Sequence, residues 1–111
     1  MSENKTLADL QKEVDGYINQ FEEGYFPPME LLARLTEELG ELSREVQHKH
    51  GMKKKKDSEM EKKLSDEMGD FFFVLICMAN AEGIDLQQSL QDVIHKYNTR
   101  DKDRWTKKEE I

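Results

Sequence analysis

Nine consecutive residues, Phe71 to Ala79 (Phe-Phe-Phe-Val-Leu-Ile-Cys-Met-Ala), carry no charge and no hydrogen-bonding polar group. The run is far short of the ~20 residues needed to span a bilayer, so it has to be buried in protein. Its β-propensity is high, but no second stretch of the chain reads as a strand to pair with it. A helix is therefore expected, from near Ser58 to about Glu82, with Met60, Leu64, Phe71, Val74 and Met78 on one seam. Phe72, Phe73, Leu75, Ile76 and Cys77 fill its other faces. A helix that is apolar all round must be surrounded, and four short helices of one chain do this poorly. The run thus predicts an all-α bundle of four main helices, completed by a second subunit.

The remaining helices follow the same period. Leu7, Leu10, Val14, Ile18 and Phe21 form a stripe over about Thr6 to Glu22, with Thr6 as cap and Asp9 in the first turn. Gly24-Tyr25-Phe26-Pro27-Pro28 ends it, and Tyr25 and Phe26 are placed either to plug the bundle or to lie over a site. Leu32, Leu35, Leu39, Leu42 and Val46 mark a second helix, about Pro28 to His48. Gly40 in its interior costs about 1 kcal/mol relative to alanine, which points to close approach of another helix. Gly83 is a helix stop and Asp85 the next cap, with Gln88 completing a capping box. Leu86, Leu90, Val93, Ile94 and Tyr97 line the fourth helix. One domain over residues 1–111 is expected, with 1–5 and 106–111 frayed unless Trp105 docks.

Composition narrows the function classes. The 111 residues carry a net charge of −7, which disfavours general affinity for nucleic acid or an anionic membrane. The one cysteine, Cys77, is expected to be a buried thiol. Met-Ser-Glu-Asn-Lys-Thr at the start lacks a signal-peptide core, so a soluble, cytoplasmic protein is the reading. The lysine run Lys53 to Lys56 fits a solvated loop, with reach toward a triphosphate as the alternative.

Two acidic clusters frame that loop: Glu37-Glu38-Leu39-Gly40-Glu41 and Glu67-Met68-Gly69-Asp70. On helices, Glu38 and Glu41 share a face, as do Glu67 and Asp70. Facing each other they would form an oxygen-rich cage, costly through mutual repulsion unless a hard divalent cation fills it. Taking Leu35 as zero, Glu38 and Glu41 fall at ~−60° and ~−120°, beside the leucine stripe, and Glu37 at ~200°, on the far side. Glu37 is therefore expected to be solvated or to support the ligands rather than to be one. Lys96 and Arg100 lie on one flank of the fourth helix's apolar face, a position that also suits plain solvation.

This order of motifs resembles the MazG-like family of all-α nucleoside triphosphate pyrophosphohydrolases. Gly83-Ile84-Asp85-Leu86 and Lys96-Tyr97-Asn98-x-Arg100 also look like that family, and the resemblance spans roughly Leu31 to Trp105. It implies hydrolysis of a (deoxy)nucleoside triphosphate between its α and β phosphates, releasing the monophosphate and pyrophosphate. Mg²⁺, with Mn²⁺ as a substitute, would be held by Glu38, Glu41, Glu67 and Asp70. Glu38 or Glu41 would take the proton from water, and Lys96, Asn98 and Arg100 would bind substrate, Asn98 on the resemblance alone. Dimers or tetramers are implied, and nucleotide-pool sanitation is a natural role. The chain lacks a duplicated second domain and looks like a small stand-alone member. Two other readings compete: a di-iron or di-manganese bundle, which uses Glu-x-x-His pairs that Glu38 and Glu67 do not begin, and a non-enzymatic interaction module with an exposed acidic face.

Overall fold

A computed structural model describes residues 4–51 and 64–109 of the chain. Its helices are α1 (Leu7–Asn19), α2 (Pro28–His50), α3 (Leu64–Ala81) and α4 (Leu86–Thr99). The expected start of α3 near Ser58 and the Lys53–Lys56 loop lie outside the described residues.

Local chemistry sets the helix ends. Thr6 and Asp9 form a full capping box, side chain to backbone in both directions. Pro28 opens α2, where its missing N–H costs nothing. α2 runs on to His50, two residues beyond the expected end, so Lys49 and His50 belong to the helix. At α4, Asp85 accepts from the Gln88 N–H, but the return arm of the expected box is absent: the Gln88 side chain donates to Asp92 instead. Gly83 takes φ +70° in the turn before α4, a conformation that a side chain would strain.

α3 is the spine. It packs against α2 on one side and α1 on the other, and α4 packs on α1. Of the buried apolar residues, Val74, Ile76, Cys77 and Ala79 lie on α3 and Leu31 on α2. Each buried aliphatic side chain contributes about 1.5–3 kcal/mol, so this core is modest. Within one chain the expected all-round burial of α3 is incomplete, since Phe72 and Phe73 remain 41% and 39% exposed.

The rotation of α2 differs from the expectation, in which the leucine stripe faced the core. On the angular scale with Leu35 at zero, the buried residues Leu31 and Glu45 fall at ~−40° and ~−80°, with Glu38 between them. Leu35 and Leu42, at ~0° and ~−20°, are half-buried, while Leu32, Leu39 and Val46, at ~60° to ~20°, are exposed. The helix therefore turns its acidic edge toward α3 and leaves the outer edge of its leucine stripe uncovered. α4 behaves likewise: none of its residues is buried, and Leu90, Val93, Ile94 and Tyr97 are all exposed. Gly40 also departs from expectation, because a Cβ there would meet nothing within 4 Å among the described residues.

Candidate active site

Turning the acidic edge of α2 inward has a direct chemical result. Glu38 from α2 and Glu67 and Asp70 from α3 each offer a carboxylate oxygen, and these oxygens lie within 4.8 Å of one another. Glu67 is the most deeply buried large side chain, at 1% exposure. The Glu38 side chain is 13% exposed, and its Oε2 is buried without a hydrogen-bond partner. Burial, and after it the charges of Glu41 and Asp70, hold the Glu38 carboxyl above its ordinary pKa; Arg34 opposes them.

Of the four carboxylates expected to form a cage, three come together. Glu41 is exposed and outside the group, because it sits another ~60° round the helix from Glu38, past the edge that meets α3. Glu37 is exposed, as its far-side angle predicted.

Arg34, one turn before Glu38, carries the nearest opposing charge: its terminal nitrogen lies 3.7 Å from Glu38 Oε1. It also lines a cavity of about 370 Å³ with Tyr17, Tyr25, Phe26, Leu31, Phe73 and Cys77 among the walls. Tyr17 meets Phe73 edge-on at 6.3 Å between ring centroids. Leu31 and Arg34 face Val74 and Cys77 across this cavity, while Glu38 faces Asp70 in the cluster. α2 and α3 are thus antiparallel, and cavity and cluster are successive levels of one seam, one turn (~5.4 Å) apart. Cys77 is buried as expected, and burial raises its thiol pKa. Tyr25 and Phe26 both border the cavity.

A polar clamp ties α1 to α3 and to the start of α4, and reaches the cavity wall through Tyr25. Gln11, 7% exposed, donates from Nε2 to Asn80 Oδ1 (3.0 Å) and to the Ile84 carbonyl (2.9 Å). Its Oε1 accepts from the Leu86 N–H (2.8 Å). Asn80 Nδ2 donates to the Gln11 carbonyl and to the Tyr25 hydroxyl, and that hydroxyl donates to Asp15 at 2.6 Å. Burial, followed by the bond to Asp15, pushes the Tyr25 pKa up to about 12. Sequence reasoning missed this network, for Gln11 sits next to an expected core position. It also missed Arg34, whose spacing of four from Glu38 was the available signal, and the buried His48, whose Nδ1 lies 3.3 Å from Glu45 Oε2.

The expected substrate-binding residues lie elsewhere in the single chain. Lys96 stacks on the Tyr97 ring at 5.3 Å, Arg100 caps α4 and pairs with Asp101, and Asn98 lines a separate cavity with Trp105. All three are exposed on the helix that packs on α1. Trp105 is 76% exposed, with Arg104 over its ring, and is not docked on the bundle.

Among known proteins, the profile of the MazG nucleotide pyrophosphohydrolase domain matches residues 26–105. That span holds the carboxylates and Arg34, but not α1, which supplies one wall of the cavity. The uncharacterised protein YpjD of Bacillus subtilis (strain 168) is 58% identical over 107 residues, 96% of each chain. A crystal structure of YpjD from Bacillus subtilis, provisionally called a pyrophosphatase, matches with a TM-score of 0.79 at 53% identity, covering 88% of this chain and 100% of that one. The crystal structure of a MazG protein conserved in Bacillus, described as a nucleotide pyrophosphohydrolase, gives 0.78 at 53% identity over 92% and 99% of the two chains.

Proposed function

The chain belongs to the MazG nucleotide pyrophosphohydrolase family, and from that premise we propose that it hydrolyses a nucleoside triphosphate to the monophosphate and pyrophosphate, using Mg²⁺ held by Glu38, Glu67 and Asp70. The observation that carries this is the three-carboxylate group with an unpartnered oxygen, Glu38 Oε2, buried at its edge. Such an oxygen is costly to desolvate without a partner. A donor set made only of carboxylate oxygens suits a hard divalent cation, with Mn²⁺ as a substitute for Mg²⁺. A cation bound there supplies charge neutralisation for the non-bridging phosphate oxygens.

The remaining roles go to the chain's own side chains. Glu41, exposed outside the group, keeps its carboxylate available to take the proton from the attacking water. Glu37, exposed on the outer side of α2, supports the ligands from beside Glu38. Lys96, Asn98 and Arg100 bind the phosphates in a homo-oligomer, a dimer or tetramer, in which the exposed apolar edges of α2 and α4 become covered. Apolar stripes on two helices are more than a small monomer ordinarily leaves to water.

A panel of canonical and modified (deoxy)nucleoside triphosphates, assayed for pyrophosphate release in Mg²⁺ and in Mn²⁺, tests the reading. Turnover of at least one, abolished by chelator, is expected. No turnover with any of them in either metal would sink it.

A further inference from the structure

Arg34 touches both levels of the α2–α3 seam. On one side its guanidinium is 3.7 Å from Glu38 Oε1, and on the other its side chain borders the aromatic cavity. Its hold on Glu38 is loose: charge-assisted hydrogen bonds run about 2.7–2.9 Å, and the Arg34 side chain is half exposed. The guanidinium is therefore free to exchange partners.

The cavity has the size and walls for a nucleobase. Its volume of about 370 Å³ falls within the ~300–1,000 Å³ of small-molecule pockets. Tyr17, Tyr25, Phe26 and Phe73 offer aromatic faces, on which any base can stack. The order along the seam is aromatic cavity, Arg34, carboxylates. The order along a nucleoside triphosphate is base, sugar and first phosphate, then the outer phosphates. Placing the base in the cavity and the phosphate chain toward the carboxylates brings the phosphate nearest the sugar beside Arg34. Arginine's planar fork matches phosphate oxygens in pairs.

We propose that Arg34 is a substrate-binding residue whose guanidinium passes from Glu38 to the phosphate nearest the sugar when a nucleotide seats its base in the cavity walled by α1, α2 and α3. The proposal rests on the pyrophosphohydrolase reading and deepens it. It gives Arg34 a contact with the product that keeps this phosphate, the monophosphate, and none with the product that does not, pyrophosphate.

The test is calorimetric binding of the four canonical deoxynucleoside monophosphates and of pyrophosphate, in saturating Mg²⁺, to the full chain and to Arg34→Met. Methionine keeps an apolar stem against the cavity wall and removes the charge. The expected result is a loss of about tenfold or more in monophosphate affinity, with pyrophosphate affinity held within about twofold. Arg34→Lys, which keeps the charge and loses the fork, is expected to show a smaller loss with the same contrast, and serves if the methionine variant does not fold. Parallel weakening of both ligands, no change in either, or a wild-type protein that binds none of the monophosphates would overturn the proposal. Turnover of triphosphates by the wild-type protein is read separately. Its absence sinks the reaction, while the contrast between the two products still decides the role of Arg34.

Discussion

Two polar regions, one between α1 and α3 and the other between α2 and α3, solve the same problem differently. In the clamp, the side-chain amide nitrogen and oxygen of Gln11 and the amide nitrogen of Asn80 have partners at 2.8–3.0 Å. In the carboxylate group, three acids crowd within 4.8 Å and Glu38 Oε2 has no hydrogen bond. A satisfied network stabilises and orients whatever it touches, and this one fixes α4's start and the Tyr25 turn on α3. A network short of partners costs stability until a ligand supplies them. The contrast is visible without appeal to motif: the clamp amides are partnered within the chain, and Glu38 Oε2 is not.

The sharpest way to break this comparison is Glu38→Gln. Activity is expected to fall by at least the ~100-fold that losing a partner of a metal ligand can cost. Meanwhile the metal-free protein should become more stable, by about 1 kcal/mol or ~4 °C in Tm, because a neutral amide replaces a crowded carboxylate. The pH dependence has a definite sign. Burial and neighbouring acids raise the Glu38 pKa in the folded state, so the folded protein takes up the proton more readily than the unfolded chain. Stability in chelator should therefore rise as pH is lowered from neutrality toward the unfolded carboxylate pKa of about 4.3. That part of the slope should be missing from Glu38→Gln. Thermal melts of both proteins across pH in chelator measure it, and a variant less stable than wild type without metal would place Glu38 among the scaffold residues.

Gln11→Ala probes the clamp and should do the reverse. It strips the partners from the Leu86 N–H, the Ile84 carbonyl and Asn80 Oδ1. A loss of about 2–4 kcal/mol is expected, with or without Mg²⁺. Equal Mg²⁺ affinity in variant and wild type, by calorimetry, would complete the contrast.

The mildest change asks whether the acidic end is finished within one chain. Gly40 has open space where its Cβ would be, so Gly40→Ala should stabilise an isolated chain by up to about 1 kcal/mol. Sedimentation measured alongside the melts sharpens the result. If the alanine instead weakens an oligomer, a second subunit approaches α2 at Gly40.

Much of the fold was legible because its signals are local. Thr6 with Asp9, Pro28, Gly83 and Asp85 act over four residues or fewer, and each sets its helix end where expected. The return arm from Gln88 failed because Asp92, one turn along, was an equally near partner. Spacing singled out four carboxylates, and three of them, Glu38, Glu67 and Asp70, come together in the structure. Glu41 stands outside that group, since spacing of three puts two acids on one face without saying which of them meets the neighbouring helix.

The sequence by itself determined that this chain is helical, where most of its helices stop, and that two acidic pairs would ride beside a buried run. Those are consequences of the 3.6-residue period and of caps acting within one turn. Only the tertiary structure decided that α2 turns its acidic edge toward α3 and leaves the outer edge of its leucine stripe uncovered. Only there do Gln11 and Asn80, 69 residues apart, close a clamp, and Arg34 come to stand between an aromatic cavity and the carboxylates. The rotation of one helix against another is set by how whole faces pack, and periodicity marks a stripe without telling which of its edges will be covered.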